Sequence, residues 1–441
     1  MLWPAIPAAG GAETLALLQQ LEQSQWLSPD RILDLQTRQL EELARHAHSS
    51  VAFYAERWRD RYDPALPLTA ERFAALPLLS RRDLQSRYDS LRTSALPVAH
   101  APTAETRTSG STGAPVRVLK TRVTELFWKA FTLRDHLWHR RDLLGKLAAI
   151  RHGVTPGGSD NWGAATQGLV QTGPVAVLHI RTDVDAQLRW LEEQQPMYLL
   201  AYPSIVASLA RACLERGIEL PGLREVRTIG ESLDPELRGL CKEAWNAPVV
   251  DVYSADEVGY IALQCPTGEH YHAQSEGALV EVLNDAGEPC AAGEVGRVVV
   301  TALHNFATPL VRYDIGDFAE AGGPCACGRG LPVLRRIVGR VRNLLVTSSG
   351  KRYWPSFGMR KLTAIPKILQ YRFVQKQIDL LEAHIVASAP LAKAEEQALT
   401  RHVLSCVPPG FRLKIEYRDA IARGEGGKYE EFVCEIPAQG T

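Results

Sequence analysis

Val175-Ala-Val-Leu-His-Ile180, Tyr198-Leu-Leu-Ala-Tyr202, Val226-Arg-Thr-Ile229 and Val249-Val-Asp-Val-Tyr253 are short apolar runs, and the stretches between them, Val184 to Gln194, Ser204 to Arg216 and Pro235 to Trp245, carry helical periodicity. With Ala148 to Ile150 as a further strand, this alternation predicts a mostly parallel sheet covered by helices. The pattern changes on either side of that core. Upstream, Ser28-Pro29-Asp30 offers an N-cap and a first-turn proline, and Leu40, Leu43, Ala44 and Ala47 then repeat on one helical face. Asp63 to Pro77, with Pro64, Pro67 and Pro77, reads as a connector without a regular element, and Ser80-Arg-Arg-Asp opens another short helix. Downstream, Gly277 to Leu283, Asn284-Asp-Ala-Gly and Gly296 to Leu303 read as two strands and a turn, so a smaller β-rich subdomain is expected after about residue 260. Residues 340–441 hold seven of the eleven lysines, a composition shift that predicts a separate C-terminal domain.

A chain of 441 residues is too long for one ordinary domain. Its 45% hydrophobic and 23% charged residues are those of a globular protein and exclude disorder, a collagenous repeat and a disulfide miniprotein. Fifty basic and fifty acidic side chains cancel, which removes the usual electrostatic reason to expect nucleic acid or an anionic membrane as partner. No apolar run approaches the ~20 residues that span a bilayer. The opening Met1-Leu-Trp-Pro-Ala-Ile-Pro has no basic segment of the secretory kind, so a cytoplasmic location is expected. Eight cysteines in a chain this long do not form a disulfide framework.

Thr108-Ser-Gly-Ser-Thr-Gly113 packs four hydroxyls and two glycines into six residues, a backbone free to aim N–H groups at an anion while hydroxyls donate further bonds. Such a loop can hold polyphosphate. It is neither a Walker A loop nor Gly-x-Gly-x-x-Gly. Standing alone it would be read as a flexible surface turn.

Three further motifs follow in order: Tyr253-Ser-Ala-Asp-Glu-Val-Gly259, Val311-Arg-Tyr-Asp-Ile-Gly-Asp317 and Gly339-Arg-Val-Arg-Asn343. Together with Thr108 to Pro115, and with Leu43 to Tyr54 and Leu76 to Leu84 upstream, they make the chain resemble the adenylate-forming superfamily, in its phenylacetate-coenzyme A ligase-like branch, over nearly its whole length. The resemblance implies an ATP-dependent acid–thiol ligase that makes an acyl-adenylate and passes the acyl group, from an aromatic acid by preference, to coenzyme A. An amide synthetase or a carrier-protein-loading enzyme is the alternative, and a non-catalytic nucleotide-binding protein the remote one. It also implies residue roles. Lys428, Glu257 and Thr108 would be catalytic, with Glu257 holding Mg2+. Ser109, Gly110, Ser111, Thr112, Gly113, Gly230, Glu231, Ser232, Asp251, Tyr253, Ser254, Asp317 and Arg340 would meet the nucleotide, Asp317 through the ribose hydroxyls and Tyr253 through adenine. Tyr202, Pro203 and Ala255, with the region of Trp162, would line the acyl pocket. The expected fold is α/β. Residues 1–339 would form a large adenylation domain, with a helical region 1–100, a nucleotide-binding core 101–260 and a β-rich subdomain 261–338. Residues 340–441 would form a small mobile α+β lid. A homodimer is left open.

The chain departs from the family pattern in two places. Arg342 and Asn343 stand where an acidic hinge residue is usual, and Gly426-Gly-Lys428 is followed by Tyr429-Glu-Glu-Phe432 where basic and apolar residues are usual. Lys351 is the rival for the lysine role.

Cys265-Pro-Thr-Gly-Glu-His270-Tyr-His272 and Cys325-Ala-Cys327 offer three thiols and two imidazoles, enough for a tetrahedral Cys3His zinc site. His270 and His272 would share a strand face, so only one is expected to be a ligand. The family resemblance favours His272, while loop geometry keeps His270 open.

Overall fold

The computed structural model describes residues 9–108, 115–340, 343–355, 357, 365, 367–424 and 427–436. Ser109 to Gly113, Arg342 and Gly426 lie outside the described residues, so the expectations resting on them are not addressed by the structure.

The strands, in chain order, are β1 (Thr103–Arg107), β2 (Arg117–Thr121), β3 (Leu147–Arg151), β4 (Gly157–Ser159), β5 (Val175–His179), β6 (Tyr198–Ala201), β7 (Glu225–Ile229), β8 (Val249–Ala255), β9 (Gly259–Gln264), β10 (Tyr271–Ala273), β11 (Ala278–Leu283), β12 (Val295–Ala302), β13 (Tyr313–Ala321) and β14 (Val333–Arg340). After these come β15 (Leu345–Val346), β16 (Arg352–Tyr353), β17 (Ile368–Gln377), β18 (Leu380–Ala387), β19 (Arg412–Tyr417) and β20 (Phe432–Cys434).

The five apolar runs of the core are β3, β5, β6, β7 and β8. They pair in parallel as β5-β3-β6-β7-β8. The helices Val184–Gln194, Pro203–Arg216 and Glu236–Trp245 join them as crossovers and pack on them through Leu188, Leu209, Leu237 and Trp245. The β-rich region is not set apart from this sheet. From β8 onward the connections are too short for a crossover, so β9, β10, β14, β13, β12 and β11 add antiparallel at one edge, and one sheet of twelve strands results. The turn between β8 and β9 is only Asp256 to Val258, which puts Glu257 at the carboxyl end of the last parallel strand.

Ser28 caps the helix Pro29–Ser50, and Ser80 with Asp83 forms a capping box on Arg81–Ser86, as expected. The connector from Asp63 to Pro77 needs correction. It contains a helix, Ala70–Ala74, because the Thr69 hydroxyl accepts the Arg72 N–H at 3.3 Å and starts a turn within the one proline-free stretch.

The strands β17 to β20 form a four-stranded sheet, in the order β19-β18-β17-β20, whose buried Phe373, Leu381, Ile385 and Phe432 pack with Leu399 and Val403 of the helix Lys393–Ser405. Beneath the large sheet, Asp135 is fully buried and accepts from Arg141 at 2.7 Å and Arg227 at 2.5 Å, while Glu225 takes the other face of Arg141 at 2.6 Å. Four charged side chains thus compensate one another where none could stand alone. No helix among the described residues is long and apolar enough to cross a membrane.

Candidate functional site

β7 ends at Ile229 and the chain turns at Gly230, whose φ is +79°. A Cβ there would sit 2.9 Å from Tyr202 Cε1 and 3.7 Å from Lys428 Cε, so both the conformation and the space require glycine. Tyr202 precedes the helix that starts at Pro203, and both side chains are buried. A cavity of about 250 Å³ opens here at the carboxyl ends of the strands, lined by Pro203, Gly230, Glu231, Ser232, Arg340 and Lys428 among others.

Two carboxylates dominate the neighbouring electrostatics. Glu257, 5% exposed, accepts from the Tyr313 hydroxyl at 3.1 Å and pairs with Arg81 at 3.4 Å. The other nitrogen of Arg81 donates to Thr108 Oγ1 at 3.2 Å, and that oxygen also accepts the Val116 N–H at 2.9 Å. Arg81 therefore ties Glu257 to the foot of the hydroxyl-rich loop. Asp317 accepts from the Tyr253 hydroxyl at 2.9 Å and pairs with Arg340 Nε at 3.3 Å, its direct partner in the β13–β14 register. Burial first, and then the Asp317 charge, push the Tyr253 phenol well above its ordinary value. Its ring belongs to the buried core, so it is a packed strand-end aromatic as well as the donor to Asp317.

Lys428 comes to these groups from far along the chain. Burial lowers its ammonium pKa, Arg340 lowers it further, and Asp256, Asp317 and Glu257 act in the opposite sense. Lys120 on β2 is likewise lowered by burial and supported by Asp256 and Glu257. Lys351 is exposed.

The remaining expected residues are placed differently. Asp251 points into the sheet, where it accepts from Thr228 at 2.5 Å and Tyr271 at 2.7 Å, and it does not line the cavity. Ser254 is exposed on β8, and Ala255 packs against the core. Trp162 donates to the Gly145 carbonyl at 3.0 Å and packs on His136 and Tyr198, away from the cavity lining. Glu231 lines the cavity, and its carboxylate accepts the backbone N–H groups of Ser204 at 3.0 Å and Tyr429 at 2.5 Å.

Sequence reading missed Arg81, Tyr313, Lys120 and Arg423 as site residues. Arg81 had one usable signal, the Ser80 cap that fixes the first helical turn, and Tyr313 had its place in the Val311–Asp317 motif; Lys120 and Arg423 join the site only through long-range contacts.

On another part of the sheet, Cys265, His272, Cys325 and Cys327 bring their ligand atoms within 4.8 Å of one another. His272 is fully buried, and its Nδ1 lies 3.3 Å from the Leu331 carbonyl, which with a proton on that nitrogen turns the Nε2 lone pair toward Cys327 Sγ at 3.4 Å. Burial lowers the His272 pKa to about 4, so the ring stays neutral, as a metal ligand must be. His270 Nε2 lies 3.0 Å from Cys325 Sγ but falls outside the four-residue set. Three thiols and one neutral imidazole suit zinc.

No protein-family model matches the chain. It is 25% identical over 391 residues to the phenylacetate-coenzyme A ligase of Thermus thermophilus, covering 82% of this chain and 83% of that protein. It is 23% identical over 407 residues to the phenylacetate-coenzyme A ligase of Pseudomonas putida, covering 86% and 87%. Among solved structures, 2-hydroxyisobutyryl-CoA ligase in the postadenylation state superposes with a TM-score of 0.74 at 19% identity, over 94% of this chain and 92% of that one. The fold is that of the adenylate-forming ligases. In sequence the chain is similar to the phenylacetate-coenzyme A ligase branch of that superfamily.

The adenylate-forming fold brings its C-terminal strand β20 against this cavity, and with it Glu431, which accepts the Tyr371 hydroxyl at 3.1 Å. Burial, reinforced by Asp234, pushes the Glu431 carboxyl up to about 7. A carboxyl raised on folding contributes its full stabilisation below the unfolded pKa and loses it as pH climbs through the folded one. Glu431→Gln should therefore raise the thermal midpoint at about pH 8.5 and give a clearly smaller gain at about pH 5. Thermal denaturation at both values checks this, and an equal shift at the two would contradict it.

Proposed function

We propose that the chain is an ATP-dependent carboxylic-acid ligase that forms an acyl-adenylate and transfers the acyl group to the thiol of coenzyme A, with an aromatic acid as substrate. The convergence of Lys428, Arg340, Asp317 and Glu257 on one another carries this reading. In the first step a carboxylate oxygen of the acid bonds to the α-phosphorus of ATP, the α–β bridging bond breaks, and pyrophosphate leaves. Lys428 and Arg340 oppose the negative charge that builds at the α-phosphate, in a site dry enough for their charges to count. Asp317 accepts the ribose hydroxyls, and the Tyr253 hydroxyl with the Arg340 guanidinium holds its carboxylate in place. Mg2+, a hard cation that takes oxygen ligands, would be held by Glu257 and would screen the phosphates. Arg81 and Tyr313 orient that carboxylate. In the second step the coenzyme A sulfur bonds to the acyl carbon, AMP leaves, and the thiol proton passes to solvent.

The same reading takes 1–339 as the adenylation domain and 340–441 as the lid, a division supported by the separate hydrophobic core around Phe373 and Leu381. It takes Cys265, His272, Cys325 and Cys327 as holding one structural zinc, supported by the compactness of their donor set.

Pyrophosphate release over a panel of aryl and alkyl acids tests the first step: release should depend on the acid and be greatest with an aryl acid. Asp317→Ala should lower kcat/KM for ATP by roughly 10- to 100-fold, the worth of charge-assisted bonds, and leave the order of acid preference unchanged. Unaltered ATP dependence in that variant would remove Asp317 from the ribose.

Metal analysis of protein purified without chelator should find about one zinc per chain. Cys325→Ser should lower zinc content and thermal midpoint more than the rate of pyrophosphate release. Protein free of zinc yet fully stable would defeat the metal assignment.

A further inference from the structure

Glu231 follows the glycine turn at the end of β7, and its side chain is 6% exposed. Oε2 accepts the Ser204 N–H, while Oε1 accepts the Tyr429 N–H and lies 3.5 Å from Arg423 Nη1. Arg423 in turn donates to Ser204 Oγ at 2.7 Å and to the Gly427 carbonyl at 3.2 Å. Gly427, with φ +75°, lies so close to the core that a Cβ would meet Ile180 Cγ2 at 3.0 Å and His152 Cβ at 3.3 Å. Arg423, Gly427 and Tyr429 are thus fastened across the carboxyl ends of β3, β5 and β7. On the far side of Lys428, the Tyr429 hydroxyl donates to the Tyr371 carbonyl, Arg372 Nε donates to the Glu430 carbonyl at 3.0 Å, and Phe432 enters the C-terminal core.

We infer that Glu231 is the positioning residue that docks the Lys428 segment for adenylate formation, an inference that rests on the ligase reading above. Lys428 is held in a buried place, where burial first and then the like charge of Arg340 act against its ammonium while Asp256, Asp317 and Glu257 favour it. A buried carboxylate that grips the next residue's N–H supplies the restraint, and it does so without touching the reacting atoms. The Tyr429-Glu-Glu-Phe432 flank that breaks the family pattern then has a physical role: Tyr429 presents its N–H to Glu231 while the guanidinium groups of Arg372 and Arg423 each lie 5.5 Å from its ring centre.

The test is Glu231→Gln in the full chain. An amide has one acceptor oxygen where the carboxylate has two, so either Ser204 N–H or Tyr429 N–H must face a donor. Acid-dependent pyrophosphate release should fall in kcat by roughly tenfold or more, with KM for ATP and for the acid within about twofold. Conversion of supplied phenylacetyl-adenylate and coenzyme A to thioester should stay near the wild-type rate. Amide exchange across 427–432 should quicken by about tenfold while β17 and β18 exchange as before. Arg423→Gln should act in the same direction. Unchanged exchange in both variants would overturn the docking. Faster exchange with pyrophosphate release intact would overturn the positioning role and leave the ligase reading standing. Equal loss of both half-reactions with faster exchange in β17 and β18 would reduce Glu231 to a fold-stabilising residue. A wild-type chain that releases no pyrophosphate with any acid would instead defeat the ligase reading, and this inference with it.

Discussion

A carboxylate taken out of water must meet a cation or enough donors to replace its hydration, and three buried carboxylates of this protein, Glu257, Asp317 and Glu231, do so in ways that tie distant segments together. Glu257 meets Arg81 and Tyr313, which draws the helix Arg81–Ser86 and the foot of the hydroxyl-rich loop to the turn after β8. Asp317 meets Arg340 and Tyr253, which joins β13, β14 and β8. Glu231 meets Arg423 and the Tyr429 N–H, which brings the C-terminal segment over the end of β7.

The sheet makes these pairings geometrically available. Parallel strands end on one side, so Gly230 and the turn carrying Glu257 emerge at neighbouring places. The antiparallel extension then carries the chain back and forth until β13 and β14 set Asp317 opposite Arg340. Away from the cavity, the Asp135, Arg141, Arg227 and Glu225 cluster and the Cys3His set lie beneath and beside the same sheet. Removal of any one member of the buried cluster would leave an uncompensated charge, so that region holds the strands whose ends form the site.

The parallel core could be read from the sequence because fully buried strands are continuous apolar runs and their crossover helices carry a regular period; β3, β5, β6, β7 and β8 were all found this way. The helix Ala70–Ala74 could not, since its only local signal is one threonine cap inside proline-rich sequence. Motif resemblance brought Glu257, Asp317, Arg340 and Lys428 forward as a set, and the structure gathers them. It could not reveal the roles of Arg81 or Tyr313, whose value lies in contacts made 176 and 56 residues away, nor that Asp251 turns inward to Thr228 and Tyr271. The two histidines show the same limit: the expected shared strand face fails because β10 begins at Tyr271 and leaves His270 in the preceding turn, and only His272, with the Leu331 carbonyl behind it, joins the cysteine set.

In the proposed ligase, Lys428 serves the making of the adenylate and not its use. A charge that opposes negative charge at the α-phosphate matters in the first half-reaction, where that charge builds, and need not matter once the adenylate is formed. The direct measurement is Lys428→Ala assayed in both halves. Acid-dependent pyrophosphate release should fall by roughly two orders of magnitude, the usual loss for one preorganised charge donor, while supplied acyl-adenylate is still converted to thioester at near the wild-type rate. Unimpaired pyrophosphate release, or an equal loss in both halves, would contradict the account.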